Sequence, residues 1–283
     1  MKNSQKIAAK AVTPILSSSD KKGYQTPTEL VSIPSKGAFY FKDHPWKNVE
    51  NVEIKYMTTI HEDIVVSPSF KAKGETMNRL FDSLIVSPKC GWEQILEGDR
   101  NAILISARKT AFGNDAAMRV VCSTCGVLNH VFVDLDSLNE KPWESILEKK
   151  LALYHEDENL FSCSLPRSNL SVVFRLQDSE SIKKVREAIR KRAEHGLQEK
   201  ILSENLRSCI ISIDGNEDPV LLAKQIDELP AYDISWFFYL LQNVSPGYDL
   251  NMPFLCSSCN SSEKKNLDVQ SASFLIPEID FFR

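Results

Sequence analysis

Apolar residues along this chain change their spacing several times, and each change marks a predicted element. Val52, Ile54 and Tyr56 alternate with Glu53 and Lys55, the period of two expected of a half-buried strand, and Thr58 or Thr59 is placed to cap a short helix after it. From Gly74 the period lengthens: Met77, Leu80, Phe81, Leu84 and Ile85 form one stripe of a helix that Pro88 ends. Asp99 stands where an N-cap belongs, ahead of a compact helix through Ile103, Leu104 and Ala107 that Gly113 closes. Met118 and Val120, then Val131, Val133 and Leu135, predict a hairpin around the turn CSTCG, and Leu267 to Val269 predict a strand beside a second turn, CSSC. The stretch 143–161 has helical character, and 170–176 (LSVVFRL) reads as a buried strand. Asp178 and Ser179 cap a long helix with Ile182, Val185 and Ile189 inward. Later helical runs hold Leu197, Ile201 and Ile210, then Leu221, Leu222 and Ile226 up to Pro230, then Ile234, Phe237, Phe238 and Leu241 starting at Asp233 and stopping at SPG, 245–247.

These elements predict an α+β fold. Residues 1–29, rich in Lys, Ser, Thr and Gln, read as a flexible arm, and the fold begins near Leu30. A strand-and-helix core spans 30–135 and 251–283, interrupted by a mainly helical insertion, 136–250. In the loop after Leu30, Phe39, Tyr40, Phe41 and Trp46 cluster outside any helix or strand period, which makes them candidate partner-binding anchors; packing against their own domain is the competing reading. A length of 283 residues with 42% hydrophobic and 25% charged side chains excludes disorder throughout. A net charge of −4 is the opposite of the basic excess that drives binding to phosphate backbones. The longest apolar runs, such as 236–241, are about a third of the roughly 20 residues needed to span a bilayer. No apolar stretch near Met1 resembles a secretory signal, so residence in the cytosol, with reduced thiols, is expected.

The seven cysteines then become informative through their spacing. Cys122 and Cys125 form one CxxC, Cys256 and Cys259 another, with 126–255 between them. Each tight turn can aim two sulfurs at a point about 2.3 Å away, and two facing turns complete a tetrahedral Zn2+ site with no open position for water, so the expected cofactor is a structural zinc in a discontinuous zinc-ribbon-like knuckle. Metal-free thiols and a redox CxxC remain alternatives at this level. The separation exceeds the about 15–20 residues of a compact ribbon, but closing a longer loop costs only about 0.6 kcal/mol per doubling. Asn260 stands where the first knuckle has Gly126, and asparagine tolerates the left-handed backbone such a turn requires. Cys90, Cys163 and Cys209 lack a partner pattern and read as small hydrophobes, and His130 reads as a surface side chain.

No G-x-S-x-G, P-loop, G-x-G-x-x-G or H-E-x-x-H motif is present, so no catalytic residues are assigned and no enzyme is expected. His61–Asp63 and 155–158 lie at a helix start and in a loop, where acidic residues are structural. Lys183, Lys184, Arg186, Arg190, Lys191 and Arg192 occupy the outer face of one helix, which keeps a second reading open: a zinc-ribbon regulatory protein that binds nucleic acid.

The order of segments adds to this: IPSKGAFY, EIKYMTTIHEDIVVS, GDRNAILISARKTAFG, VCSTCG, SIDG, LPAYDISWFFYLLQNVSPG and CSSC. In this succession, over 30–277, the chain resembles the baseplate hub proteins of T-even-type contractile-tailed phages. The resemblance implies a late viral structural protein, a hub subunit or hub assembly factor acting in viral tail assembly. Its implied partners are other baseplate hub proteins and the tape-measure protein. Its implied place is the host cytoplasm during assembly, or the virion if the mature tail retains it.

Overall fold

The computed structural model describes residues 26–277. In chain order the elements are β1 Thr28–Ser32, β2 Asn51–Lys55, α1 Thr59–Val66, α2 Pro68–Lys73, α3 Thr76–Leu84, β3 Ile85–Ser87, α4 Glu97–Phe112, β4 Asp115–Val121 and β5 Leu128–Asp134. There follow α5 Trp143–Glu148, β6 Leu153–His155, β7 Leu160–Ser164, β8 Ser171–Phe174, α6 Ser179–Glu194, α7 Ile201–Cys209, β9 Ile210–Ile213, α8 Pro219–Glu228, α9 Ala231–Val244, β10 Asn251–Leu255, β11 Ser262–Asn266 and α10 Ala272–Leu275. The fold is α+β.

Two apolar cores carry it. The first lies between the antiparallel sheet β1-β2-β3 and helices α1, α3 and α4, and includes Val52, Ile54, Leu80, Phe81 and Ile103, all fully buried. Leu267, Val269, Phe274 and Leu275 complete this core from the far end of the sequence. The second is built mainly from 136–250, where the helices pack on an antiparallel sheet, β6-β7-β8-β9, around Phe161, Phe174 and Phe237, and it also takes in Phe39. The sequence reading assigned one of those four strands and read the rest of the segment as helical.

Several boundaries differ for identifiable reasons. The run 143–161 is helical only through Glu148; Lys150 turns left-handed (φ 55°), and Leu153 onward forms a hairpin whose turn places Asn159 at φ 53°. Ile85 and Ile210, read as inner-face helix positions, begin β3 and β9, because the chain passes from helix to strand with no loop. Leu197 lies outside any helix and is 55% exposed. The strands flanking the second cysteine turn are β10 and β11, not Leu267 to Val269; β11 reads SEKKN, a strand with both faces partly wet and hence no apolar alternation. β1 opens two residues before Leu30, with Thr28 paired to Lys55 and Glu29 to Ile54, and the Glu29 carboxylate accepts hydrogen bonds from Ser106 and Thr110 of α4. The rest of the expected arm, 1–25, lies outside the described residues, as does 278–283.

The loop between β1 and β2 joins the two cores. Asp99, expected as an N-cap, is the third residue of α4 and fully buried, with Leu96 in the capping position. Its carboxylate accepts hydrogen bonds from the Ser35 amide (3.0 Å), the Ser35 hydroxyl (2.5 Å) and the Tyr40 hydroxyl (2.7 Å). These donors have no water to turn to, so the carboxylate satisfies them instead of the helix end, while its charge still complements the helix dipole. One residue earlier, Phe39 points into the second core, packing edge-on against Trp143 and Tyr154 at 4.9 and 5.0 Å. Trp46 is fully buried in the first core and donates from its indole nitrogen to the Pro88 carbonyl (2.9 Å). Phe39, Tyr40 and Trp46 are therefore not docking anchors, and of the four aromatic candidates only Phe41 is exposed, at 60%. Phe39, Tyr40 and Trp46 each face a partner distant in sequence, which local spacing does not reveal.

His61 sits in α1 with its Nδ1 accepting from the Thr58 amide (2.9 Å) and its Nε2 at 3.1 Å from the Ser83 hydroxyl. Burial holds its pKa below the ordinary 6.5, and burial does the same to His44. The unfolded state therefore binds more protons in acid, so this stabilisation is complete above about pH 6.5 and is lost as pH falls through the lowered folded values. Urea midpoints should fall as pH is lowered from about 6.5, and the fall should be shallower in His61→Gln. An unchanged pH slope in that variant would contradict the assignment.

Candidate metal centre

The two cysteine turns are built alike. In the first, the Cys122 amide donates to the Val127 carbonyl and the Gly126 amide to the Cys122 carbonyl, both at 3.0 Å. In the second, the Cys256 amide donates to Ser261 (3.0 Å) and the Asn260 amide to Cys256 (3.1 Å). Gly126 (φ 72°) and Asn260 (φ 56°) adopt the same left-handed conformation, so asparagine takes the glycine's place as its backbone tolerance allows. Each turn closes a two-stranded hairpin, β4-β5 and β10-β11, with strand registers running up to Val121–Leu128 and Leu255–Ser262.

All four sulfurs lie within 4.8 Å of one another. Cys122 Sγ is 3.7 Å from Cys259 Sγ, and Cys125 Sγ is 3.7 Å from Cys256 Sγ. Bonds of about 2.3 Å to a tetrahedral centre place sulfurs about 3.8 Å apart, so the quartet has the dimensions of a metal site. Cys122 and Cys256 are buried, while Cys125 and Cys259 are exposed. The four together can hold a metal ion.

Hydrogen bonds fix the two turns to each other. Asn129, 6% exposed on the inner face of β5, accepts at Oδ1 from the Ser257 amide (2.9 Å) and hydroxyl (2.8 Å), and directs Nδ2 at Cys256 Sγ (3.7 Å) and the Val127 carbonyl (2.9 Å). The Ser123 amide donates to Glu263 (3.1 Å), and the hydroxyls of Thr124 and Ser261 meet at 2.9 Å. Asn129 was not singled out in the sequence; its signal is a polar residue at an inward position, in step with Val131 and Val133.

Backbone amides of Cys259 and Ser258 draw the Cys256 thiol down to about 6. At Cys259 the Ser261 amide also favours ionisation, but desolvation and the three neighbouring sulfurs outweigh it and push the thiol up to about 12. Four thiols this close cannot all ionise alone, whereas a divalent cation supplies the charge that lets them do so. The remaining cysteines differ in kind: Cys90, Cys163 and Cys209 are buried, and burial raises their thiols to about 11, 12 and 12. His130 is exposed on β5, opposite Arg119. His155 lies at the end of β6, bonded to Ser162 at 2.8 Å. No helix among the described residues is long and apolar enough to cross a membrane. Comparisons with protein-family models, with curated proteins and with solved structures return no match.

Proposed function

We propose that this chain is a non-enzymatic structural protein of a contractile phage tail, a baseplate hub subunit or hub assembly factor, stapled by a structural Zn2+ on Cys122, Cys125, Cys256 and Cys259. The observation that carries the staple is the sulfur quartet itself, at tetrahedral spacing and contributed by turns from two distant parts of the sequence. Four thiolates suit zinc, and with all four positions taken by protein the ion has no site for a reacting water. Its chemistry is then cross-linking: it fixes β4-β5 against β10-β11.

The residues behind the resemblance to hub proteins hold the architecture together, which supports an assembly role over turnover. Ser35 and Tyr40 bind Asp99, Phe39 enters the second core, and Pro246 and Gly247 lie so close to Gly98 that a β-carbon there would meet the Pro246 carbonyl oxygen at 1.9 Å. The nucleic-acid reading draws on α6, where Lys184 pairs with Glu180 (2.8 Å) and Arg190 with Glu194 (3.7 Å), so part of that helix's positive charge is offset on the helix itself. The test is fractionation of hub complexes from infected cells carrying a tagged copy of the chain. Comigration with the hub and tape-measure proteins is expected. Hubs that form without it, or salt-dependent retention on DNA, would replace the proposal with the regulatory reading.

A further inference from the structure

A cavity of about 700 Å³ opens at the junction of the two cores, within the about 300–1,000 Å³ usual for ligand pockets. The loop between β1 and β2 lines it with Phe39, Tyr40 and Phe41, and the second core with Leu160, Phe161 and Ile211. Phe39 and Tyr40 are spent on the cores, whereas Phe41 leaves its ring 60% exposed. The cavity thus has an apolar lining with one aromatic anchor still in water.

Its charge is one-sided. Four carboxylates, Glu93, Glu158, Asp178 and Glu180, line it against one guanidinium, Arg175. His44 lies there too, but burial lowers its pKa from 6.5, so it adds no positive charge at neutral pH. Asp178 accepts from the Ser181 amide (2.7 Å) as the cap of α6, and Glu180 pairs with Lys184 (2.8 Å). Glu93, just before α4, and Glu158, in the turn between β6 and β7, have no hydrogen bond or ion pair among the described residues. A cleft lined by one sign of charge over apolar walls concentrates the opposite charge.

We propose that this cavity is a docking site for an extended segment of a partner protein in which a lysine or arginine stands beside an aromatic or aliphatic residue. The apolar side chain covers the Phe41 ring, and the cation answers the carboxylates that the fold leaves unpaired. The same carboxylates repel a phosphate backbone, so this cleft and the basic face of α6 suit opposite partners. That the cation belongs to a peptide rests on the assembly role proposed above.

Selection of random peptides on the full-length chain at low salt tests the site without assuming which protein the partner is. Enriched sequences are expected to place Lys or Arg next to Phe, Trp, Leu or Ile, and a synthetic peptide of that sequence should slow amide exchange at 39–41, 93–96 and 158–161. Glu93→Lys with Glu158→Lys should weaken its binding about ten-fold, as for two reversed surface charges. Phe41→Ala should weaken it about five-fold, as for a lost aromatic anchor. Both variants should keep the wild-type urea midpoint, because all three side chains are exposed. Enrichment of acidic sequences, protection confined to other segments, or full affinity in the double charge reversal would overturn the proposal. A selection that enriches nothing would overturn it as well and leave the hub reading standing, since comigration with the hub is measured separately.

Discussion

Replacing Cys256 by serine is expected to release the metal and unfold both cysteine hairpins while leaving the two apolar cores standing. The hairpin module has almost no core of its own: its buried cluster is Val120, Cys122, Phe254 and Cys256, half of it cysteines of the sulfur quartet. Isolated two-stranded hairpins are marginal in water, so on the proposed reading a bound ion supplies what packing does not. Structural zinc contributes about 10–16 kcal/mol in small sites, coupled to folding, and losing one of four ligands removes a large share of it. Ala116 and Val133, at the roots of β4 and β5, belong to the first core and should keep those ends anchored. Hydrogen exchange should therefore show protection lost near the cysteine turns and retained in α4 and in β7-β8. Unchanged metal content and protection in the variant would remove the staple from the account.

The second large effect is expected for Trp46→Ala. Truncating a fully buried aromatic costs about 3–5 kcal/mol, and here it also strips the Pro88 carbonyl of its 2.9 Å donor and Tyr40 of its edge-on neighbour at 6.2 Å. That is a large part of the about 5–15 kcal/mol by which domains are stable. Phe41→Ala, on the same loop but 60% exposed, should leave the urea midpoint unchanged. If Trp46→Ala unfolded at the wild-type midpoint, the loop would be a detachable docking element and not the strut between the cores.

What the sequence disclosed follows the range of the interactions. The cysteine quartet was legible because CxxC spacing encodes its own turn, and the amphipathic stripe at Met77 to Leu84 because helix period is local. Asp99 was misplaced because its donors at Ser35 are 64 residues away, and no spacing rule connects them. The loop aromatics invited a surface reading because their period matches no element, yet that lack of period is what lets Phe39 and Tyr40 point into different cores. β6, β7 and β9 were hidden by brevity: three to five residues leave little room for alternation. Asn129 was passed over because a polar residue in a strand looks like a solvent position until the second knuckle is placed against it.

The central claim is that one zinc ion, bound by four cysteine sulfurs, closes this fold. X-ray absorption at the zinc edge, together with elemental analysis of protein purified without added metal, tests it most directly. The account predicts one zinc per chain with four sulfur neighbours at about 2.3 Å and no oxygen or nitrogen in the first shell. A metal-to-protein ratio near zero, or a shell containing water, would contradict it.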